Sequence, residues 1–433
     1  MQRLLILGAS WTLALLYAYP GMMSTDSVVQ LLQARGLEPL GDWHPPVMAV
    51  LWRHVDRLIS GPFGMLVLQT GALLFGLDAL LQRVLRPRAA AVVAGLILLF
   101  PPILAPMGVI WKDSQMAGYL LAGTGLLMSP RWAKRALGSV LFLVATAMRY
   151  NAAAATLPII VLLVDWGGTR WRRYLVAAAV WLAITVAAFG TNRVLAERQE
   201  HAWHSSLAIM DIVGTIRYVN SHAWPSDADY ERVLEGTSLV VHRDIRKWCR
   251  WWYVPQMHWP MSHGEQRIFD PPTSDAQRDA IAKAWWRVVS AQPRAYLRHR
   301  WRVFEEVLGS SSDELMGPVW ESFVEMPSQV PLVDAPTRHS SLQTRWLAAN
   351  AWVATTFLFR PRFYLIVALA LLCLARSRIA LAIVASGVCY EASLFFVAPS
   401  ADFRYSHWMI VCTVAGSIMV LASRLRRQAA RVA

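Results

Sequence analysis

Apolar runs and short polar connections alternate along this chain, and one long polar stretch interrupts the series. The first run, about Leu4 to Tyr19, follows Arg3. The next, Gly61 to about Leu81, ends in Arg83, Arg86 and Arg88, and a third covers about Ala89 to Leu104. A fourth, about Gln115 to Met128, ends at Arg131, Lys134 and Arg135. The fifth and sixth flank Met148-Arg149-Tyr150-Asn151, the sixth stops at Arg170, Arg172 and Arg173, and the seventh is about Tyr174 to Thr191. Stretches of about 18 or more weakly charged residues suit a bilayer core about 30 Å thick, so these runs predict membrane-spanning helices. The prolines of PPILAPMGVIWKDS predict an irregular turn after the third. Before the second span, Pro45-Pro46 open VMAVLWRHVDRLIS, where Arg53, His54, Asp56 and Arg57 oppose full burial. This segment reads as an amphipathic helix lying along the outer interface.

From Arg193 to about Arg345 no spanning window survives, and charges, His, Trp and Pro rise. DAQRDAIAKAWWRVVSAQPRAYLRHRWRVFEEVLG keeps a helical period, with Pro293 as a break. Residues 193–345 therefore read as a mainly helical extracytoplasmic domain, with no internal repeat or low-complexity tract. Apolar runs return at Trp346 to Phe359, Phe363 to Ala375, Ile379 to Ala398 and Tyr405 to Ala422. If all four span, Arg424, Arg426, Arg427 and Arg431 finish outside, against the tendency of basic residues to stay in the cytoplasm. Placing the first run in the interface leaves three spans. The expected fold is then an all-α polytopic membrane protein of about ten spans with both ends cytoplasmic. It comprises an N-terminal module at 1–192 with its first outer loop at 20–60, the middle domain, and a C-terminal module at 346–433.

Composition agrees. Of 433 residues 56% are hydrophobic and 16% charged, against about 25% charged in soluble domains. The net charge of +14 would suggest nucleic acid in a soluble protein. Here the cations sit at span ends, which argues for a lipid bilayer and no nucleic acid. Of the four cysteines, Cys373, Cys389 and Cys412 lie in apolar segments, leaving Cys249 without an obvious partner, so no disulfide framework is expected. The first twenty residues have the flavour of a signal peptide but lack a small-x-small cleavage site, and read as a retained anchor.

This topology puts four polar groups on one face: the Asp26–His44 loop, Lys112-Asp113, Arg149-Tyr150-Asn151, and Asp402-Phe403-Arg404-Tyr405. A carboxylate set against clustered cations suits transfer from an anionic leaving group. The carboxylate takes a proton from an acceptor hydroxyl, and Arg or Lys holds the charge building on a phosphate. Each has a plainer alternative. Asp26 stands before SVVQLLQA, and Asp113 before the fourth span, where either caps a helix. His44 is a turn residue ahead of two prolines, and Arg149 and Arg404 are cations that snorkel to the interface.

The order of these features resembles a family. An outer-loop Asp after the first span, then H-P-P opening an amphipathic helix, is what the GT-C superfamily of membrane glycosyltransferases shows. The likeness is greatest to its protein O-mannosyltransferase and aminoarabinose-transferase branch. LLFPPILAPMGVIWKDSQMAGYLLAG is similar to that branch's outer turn with a second Asp, and ADFRYSHW to its R-Y entering a late span. The resemblance covers roughly Leu4 to Thr191 and the C-terminal end. It implies transfer of a sugar from a polyprenyl-phosphate carrier to a lipid, glycan or protein acceptor, outside a bacterial inner membrane. It implies Asp26 as catalytic base and Asp113 as the second catalytic acidic residue; from the four polar groups themselves, His44, Lys112, Arg149, Tyr150, Asn151, Arg404 and Tyr405 are the candidate substrate-binding residues. The chain departs from the pattern in having T-D-S where paired D-E is usual, and no D-x-D, which weakens the case for a divalent metal without removing it, since such an ion favours several carboxylate oxygens.

Lesser candidates lie in the middle domain. His201-x-x-His204 has metal-pair spacing without a near third ligand. Trp248, Trp251, Trp252 and Trp259 stack on sugars or sit among headgroups. Asp211 is set in an apolar run, open either to a raised pKa or to salt bridging. Arg294, Arg298, Arg300 and Arg302 meet anionic headgroups or form a solvated face. Two rivals to the enzyme remain: a transporter or flippase of a lipid-linked or amphipathic solute, and a non-enzymatic envelope assembly factor. The topology has its own test: a reporter fused after Arg431 is expected to be cytoplasmic, and an extracytoplasmic signal removes the ten-span arrangement.

Overall fold

A computed structural model describes residues 1–164, 170–219, 226–241, 243–263, 265, 267–309, 318–333 and 335–432. Among the described residues the regular structure is helical, with a few isolated β-bridges and no strand. The helices are α1 (Gln2–Ala18), α2 (Thr25–Arg35), α3 (Val47–Asp56), α4 (Phe63–Leu81), α5 (Pro87–Leu98), α6 (Pro101–Met107) and α7 (Lys112–Leu127). Then come α8 (Trp132–Met148), α9 (Ala152–Leu163), α10 (Arg170–Leu195), α11 (Ala208–Tyr218), α12 (Asp227–Val233), α13 (Ile245–Trp252) and α14 (Trp259–Ser262). The series closes with α15 (Asp275–Ala291), α16 (Pro293–Val307), α17 (Val330–Val333), α18 (Ser341–Ala354), α19 (Pro361–Leu374), α20 (Arg378–Val397) and α21 (His407–Val432).

Among the described residues four helices are long and apolar enough to cross a membrane: α4, Trp171–Leu195 of α10, α20, and the Phe403–Gln428 segment containing most of α21. The shorter α1, α9 and α19 are also apolar. The third expected span is broken. α5 stops at Leu98, α6 starts at Pro101, and the two meet at 69°. The prolines expected to make an irregular turn instead begin a helix, because a first-turn proline lacks only an N–H that would be unpaired there. α6 ends at Met107, and a buried amide takes carbonyls freed there. Gln69 Nε2 donates to the carbonyls of Met107 (2.8 Å) and Val109 (2.9 Å), and Gln115 Nε2 donates to Gln69 Oε1 (2.8 Å). Arg3 and Asp78 form a close ion pair that ties the start of α1 to the end of α4.

The chain folds as two compact units. One comprises Met1–Gln199, Gly317–Glu391 and Phe403–Ala433, and the other Glu200–Met316 with Ala392–Asp402. The polar middle domain expected at 193–345 is therefore shorter. Residues 318–345 join the first unit, where Val324 bridges Met23, Glu325 Oε2 accepts from the Thr25 N–H (2.6 Å) and Gln343 Nε2 donates to the Tyr19 carbonyl (2.6 Å). α18 starts ahead of its apolar run because Ser340 and Gln343 form a reciprocal cap.

In the second unit, buried Asp211 accepts from His299 Nε2 (3.0 Å) and Trp285 Nε1 (2.8 Å), with Arg300 Nε 2.7 Å away. Its alternative of salt bridging is the one realised. The α16 arginines are not one solvated face: Arg300 is fully buried, Arg298 covers the Tyr218 ring and Arg302 pairs with Glu305. His201 and His204 meet edge to face, and among the described residues no group of three or more His, Cys, Asp or Glu is placed to hold a metal ion. Trp251 and Trp259 are exposed, Trp259 stacking on His263, while Trp248 and Trp252 are half-buried against one another.

Within the first unit, α7 lies against both α4 and α8 at small residues. A Cβ on Gly76 of α4 would stand 2.5 Å from the Leu121 backbone of α7, and one on Gly138 of α8 would stand 2.9 Å from Leu127 N. Backbones approach this closely only where a side chain is missing. Gly76→Ala is expected to cost about 1–3 kcal/mol by overpacking, read as a lower unfolding temperature in detergent. Gly8→Ala, whose Cβ meets nothing within 4 Å, is expected to leave that temperature unchanged; equal behaviour of the two variants contradicts the close approach.

Candidate active site

Asp26 enters the site through a short parallel contact between the first outer loop and the turn after α6. The Met22 N–H donates to the Gly108 carbonyl (3.1 Å), and the Ile110 N–H donates to the Met22 carbonyl (2.9 Å). Ser27 Oγ donates to the Ile110 carbonyl (2.7 Å), and Trp111 Nε1 donates to Ser24 Oγ (2.8 Å). These bonds hold the start of α2 beside the start of α7, so Asp26 faces Lys112 and its neighbours. Ser24, not Asp26, is the N-cap of α2, and no side chain closes that cap.

The Asp26 carboxylate is shared by two partners. Arg404 Nη2 donates to Oδ2 (2.8 Å), and His44 Nε2 lies 3.4 Å from Oδ1. On its other side, His44 Nδ1 is 2.6 Å from Lys112 Nζ. Burial pushes the His44 imidazole down and Lys112 adds to that push, against the opposite pull of Asp26. With Nδ1 accepting from the Lys112 ammonium, the imidazole proton sits on Nε2 and faces Asp26. Burial pushes the Asp26 carboxyl up, but His44, Arg404 and Lys112 outweigh it and hold the group well below the ordinary carboxylate range.

A second ion pair lies alongside. Asp113, in the first turn of α7, makes a close hydrogen bond with Arg149, and Arg149 Nε donates to Asn151 Oδ1 (3.3 Å). Arg149 occupies the extended residue that ends α8, so its side chain leaves the helix axis toward α7. Tyr405 lies under its guanidinium at 4.7 Å, and Arg404 sits at 4.7 Å over Trp111. Rings against the flat faces of arginine leave its N–H edges for anions. Asp26, with 30% of its side chain accessible, is the open point; Arg404 and Arg149 keep 11% and 10%, and Asp113 only 2%.

The candidate catalytic and substrate-binding residues therefore meet, except Tyr150. Tyr150 turns to the first loop, donating to the Asp42 carbonyl (2.8 Å), and braces that loop instead of facing the carboxylates. Neither Asp26 nor Asp113 acts as a helix cap. Several neighbours went unremarked in the sequence: Ser24 and Trp111, and the buried Glu391, whose Oε1 accepts from Ser406 Oγ (2.8 Å). A further one is His407, buried with neither ring nitrogen hydrogen-bonded among the described residues and close enough to feel the Asp113 charge. Glu391 did carry a signal, being a lone acid inside an apolar run. Three cations, Lys112, Arg149 and Arg404, thus converge with two carboxylates, a set able to seat a phosphate group beside a base.

No family model, curated protein or solved structure matches this chain.

Arg149→Ala leaves Asp113 buried without its cation and is expected to cost about 3–5 kcal/mol. The paired change Asp113→Asn with Arg149→Met is expected to cost less than Arg149→Ala alone. Thermal unfolding of the purified variants checks this, and a double variant no more stable than Arg149→Ala argues against the pair as a compensating unit.

Proposed function

We propose that this chain is an integral-membrane glycosyltransferase of the GT-C kind, moving a sugar from a polyprenyl-phosphate carrier to a hydroxyl acceptor. The observation that carries the reading is the meeting of Asp26, His44, Lys112, Asp113, Arg149 and Arg404, drawn from four separate connections, at one partly open point. In this reading the chain crosses a bacterial inner membrane about ten times with both ends inside, and the site faces outward. The acceptor is a lipid, glycan or protein.

Asp26 takes the proton of the acceptor hydroxyl as that oxygen attacks the anomeric carbon from the face opposite the phosphate. The carbon–oxygen bond to phosphate breaks, the configuration inverts, and polyprenyl phosphate leaves with the bonding pair. Arg404 and Lys112 stabilise the charge on the departing group, while the Asp113–Arg149 pair and Tyr405 hold the far wall. Both nitrogens of His44 are already engaged, so it acts as a positioning residue between Lys112 and Asp26 and not as a substrate ligand. The cations that keep Asp26 ionised also make it a weak base before substrate arrives. A phosphate drawing Arg404 and Lys112 toward itself adds negative charge beside Asp26 and raises its proton affinity. The bilayer contributes the prenyl tail's burial, about 0.8 kcal/mol per CH2.

A carrier or flippase of a lipid-linked solute is the second reading. The observation in its favour is the 69° break between α5 and α6, since carriers build sites from discontinuous helices. Purified protein given a labelled polyprenyl-phosphate sugar separates the two, because an enzyme yields acceptor-linked or free labelled sugar and a carrier only moves intact donor. Asp26→Asn is expected to lower transfer by about 100-fold or more with the folded yield unchanged. Arg404→Ala is expected to raise the donor KM more than the acceptor KM. Full activity in Asp26→Asn removes Asp26 as the base.

A further inference from the structure

A cavity lies apart from the residues of the active site, where the connection between α19 and α20 meets the last turns of α21. It is a cavity of about 210 Å³ lined by Arg376, Ser377, Arg424, Arg427, Ser423 and Gln428, with Leu374 and Val420 as its apolar wall. On α21 the lining residues recur at 420, 423 and 424, then 427 and 428, which is one face of a helix. The other arginine comes from the three-residue link between α19 and α20, so cations from separate segments converge on one opening.

No acid lines this cavity, and among the described residues no carboxylate pairs with Arg376, Arg424 or Arg427. Two other arginines at helix ends in the first unit do take carboxylates, Arg3 with Asp78 and Arg35 with Asp56. Ser423 Oγ donates back to the Met419 carbonyl, leaving its lone pairs aside and the cavity dominated by guanidinium donors. Basic residues at span ends are expected of any membrane protein. What that tendency does not require is their convergence on a concave site with an apolar wall.

We propose that this cavity is a binding site for the phosphate headgroup of an anionic phospholipid. Arg376, Arg424 and Arg427 hold the phosphate oxygens, Gln428 and Ser377 add neutral hydrogen bonds, and Leu374 and Val420 lie against the first methylenes of the acyl chains. Arginine suits this task because its planar fork meets two phosphate oxygens at once. Basic pockets at the ends of membrane helices are general sites for such headgroups. The site is independent of the sugar-transfer reading, and stands or falls without it.

The test uses the full-length protein in detergent and asks which lipid it retains. Wild-type protein, given equal phosphatidylglycerol and phosphatidylcholine and examined by native mass spectrometry, is expected to prefer the anionic lipid by about tenfold or more. The triple change Arg376→Gln, Arg424→Gln, Arg427→Gln is expected to reduce that preference to within about twofold. A control triple, Arg131→Gln, Lys134→Gln, Arg135→Gln, removes as many charges from exposed positions at another span end and is expected to keep the preference. Inorganic phosphate at millimolar concentration is expected not to displace the lipid; displacement would assign the cavity to a free anion. Equal losses in the two triples, or no preference in wild type, overturn the proposal.

Discussion

An ionised carboxylate at the rim of an apolar helix bundle persists only when cations are brought to it, and most of this architecture serves that condition twice. Asp113 has almost no access to solvent and is held by Arg149; Asp26 keeps some access and is shared between Arg404 and the His44–Lys112 pair. Each partner comes from a different connection. The cost of burying either charge alone is several kcal/mol, so the connections are bound to one another by electrostatics as firmly as the helices are by packing. The break of α8 at Arg149, the Met22–Val109 bridge and the one-turn lead into α21 are the local shapes that satisfy this demand.

The same arrangement relates stability to reactivity. Asp26 is well compensated by Arg404, His44 and Lys112, and any anion that drew those cations away would raise its proton affinity. His44 connects the two effects because one imidazole faces both the ammonium and the carboxylate. The residue before two prolines is thus fixed in place by chemistry on both sides of its ring.

Hydrophobic patterning made most of the helices legible, because a run such as Gly61 to Leu81 has one physical use. The polar residues of the site were legible through their place at helix ends. What pattern reading missed has identifiable causes. Pro101 and Pro102 look like helix breakers by composition, yet they occupy positions where proline is tolerated, and the chain turns helical at a new angle. Residues 318–345 are polar enough to read as part of the middle domain, but their backbone and side-chain bonds run to the first loop, and no local pattern records a long-range partner. Arg300 shares its helix with exposed arginines, and only the distant Asp211 distinguishes it. Tyr150 sits between two residues that join the site and still faces elsewhere, since neighbours in sequence point in different directions.

The glycine contacts between α4, α7 and α8 have a consequence for permeation. Where backbones come within the width of a missing methyl group, no water file or acyl chain passes between the helices. These three helices therefore pack as one layer, with α7, which carries Lys112 and Asp113 in its first turn, in the middle. Of the two carboxylates, the one that solvent reaches is Asp26, while Asp113 stays shielded on the α7 side.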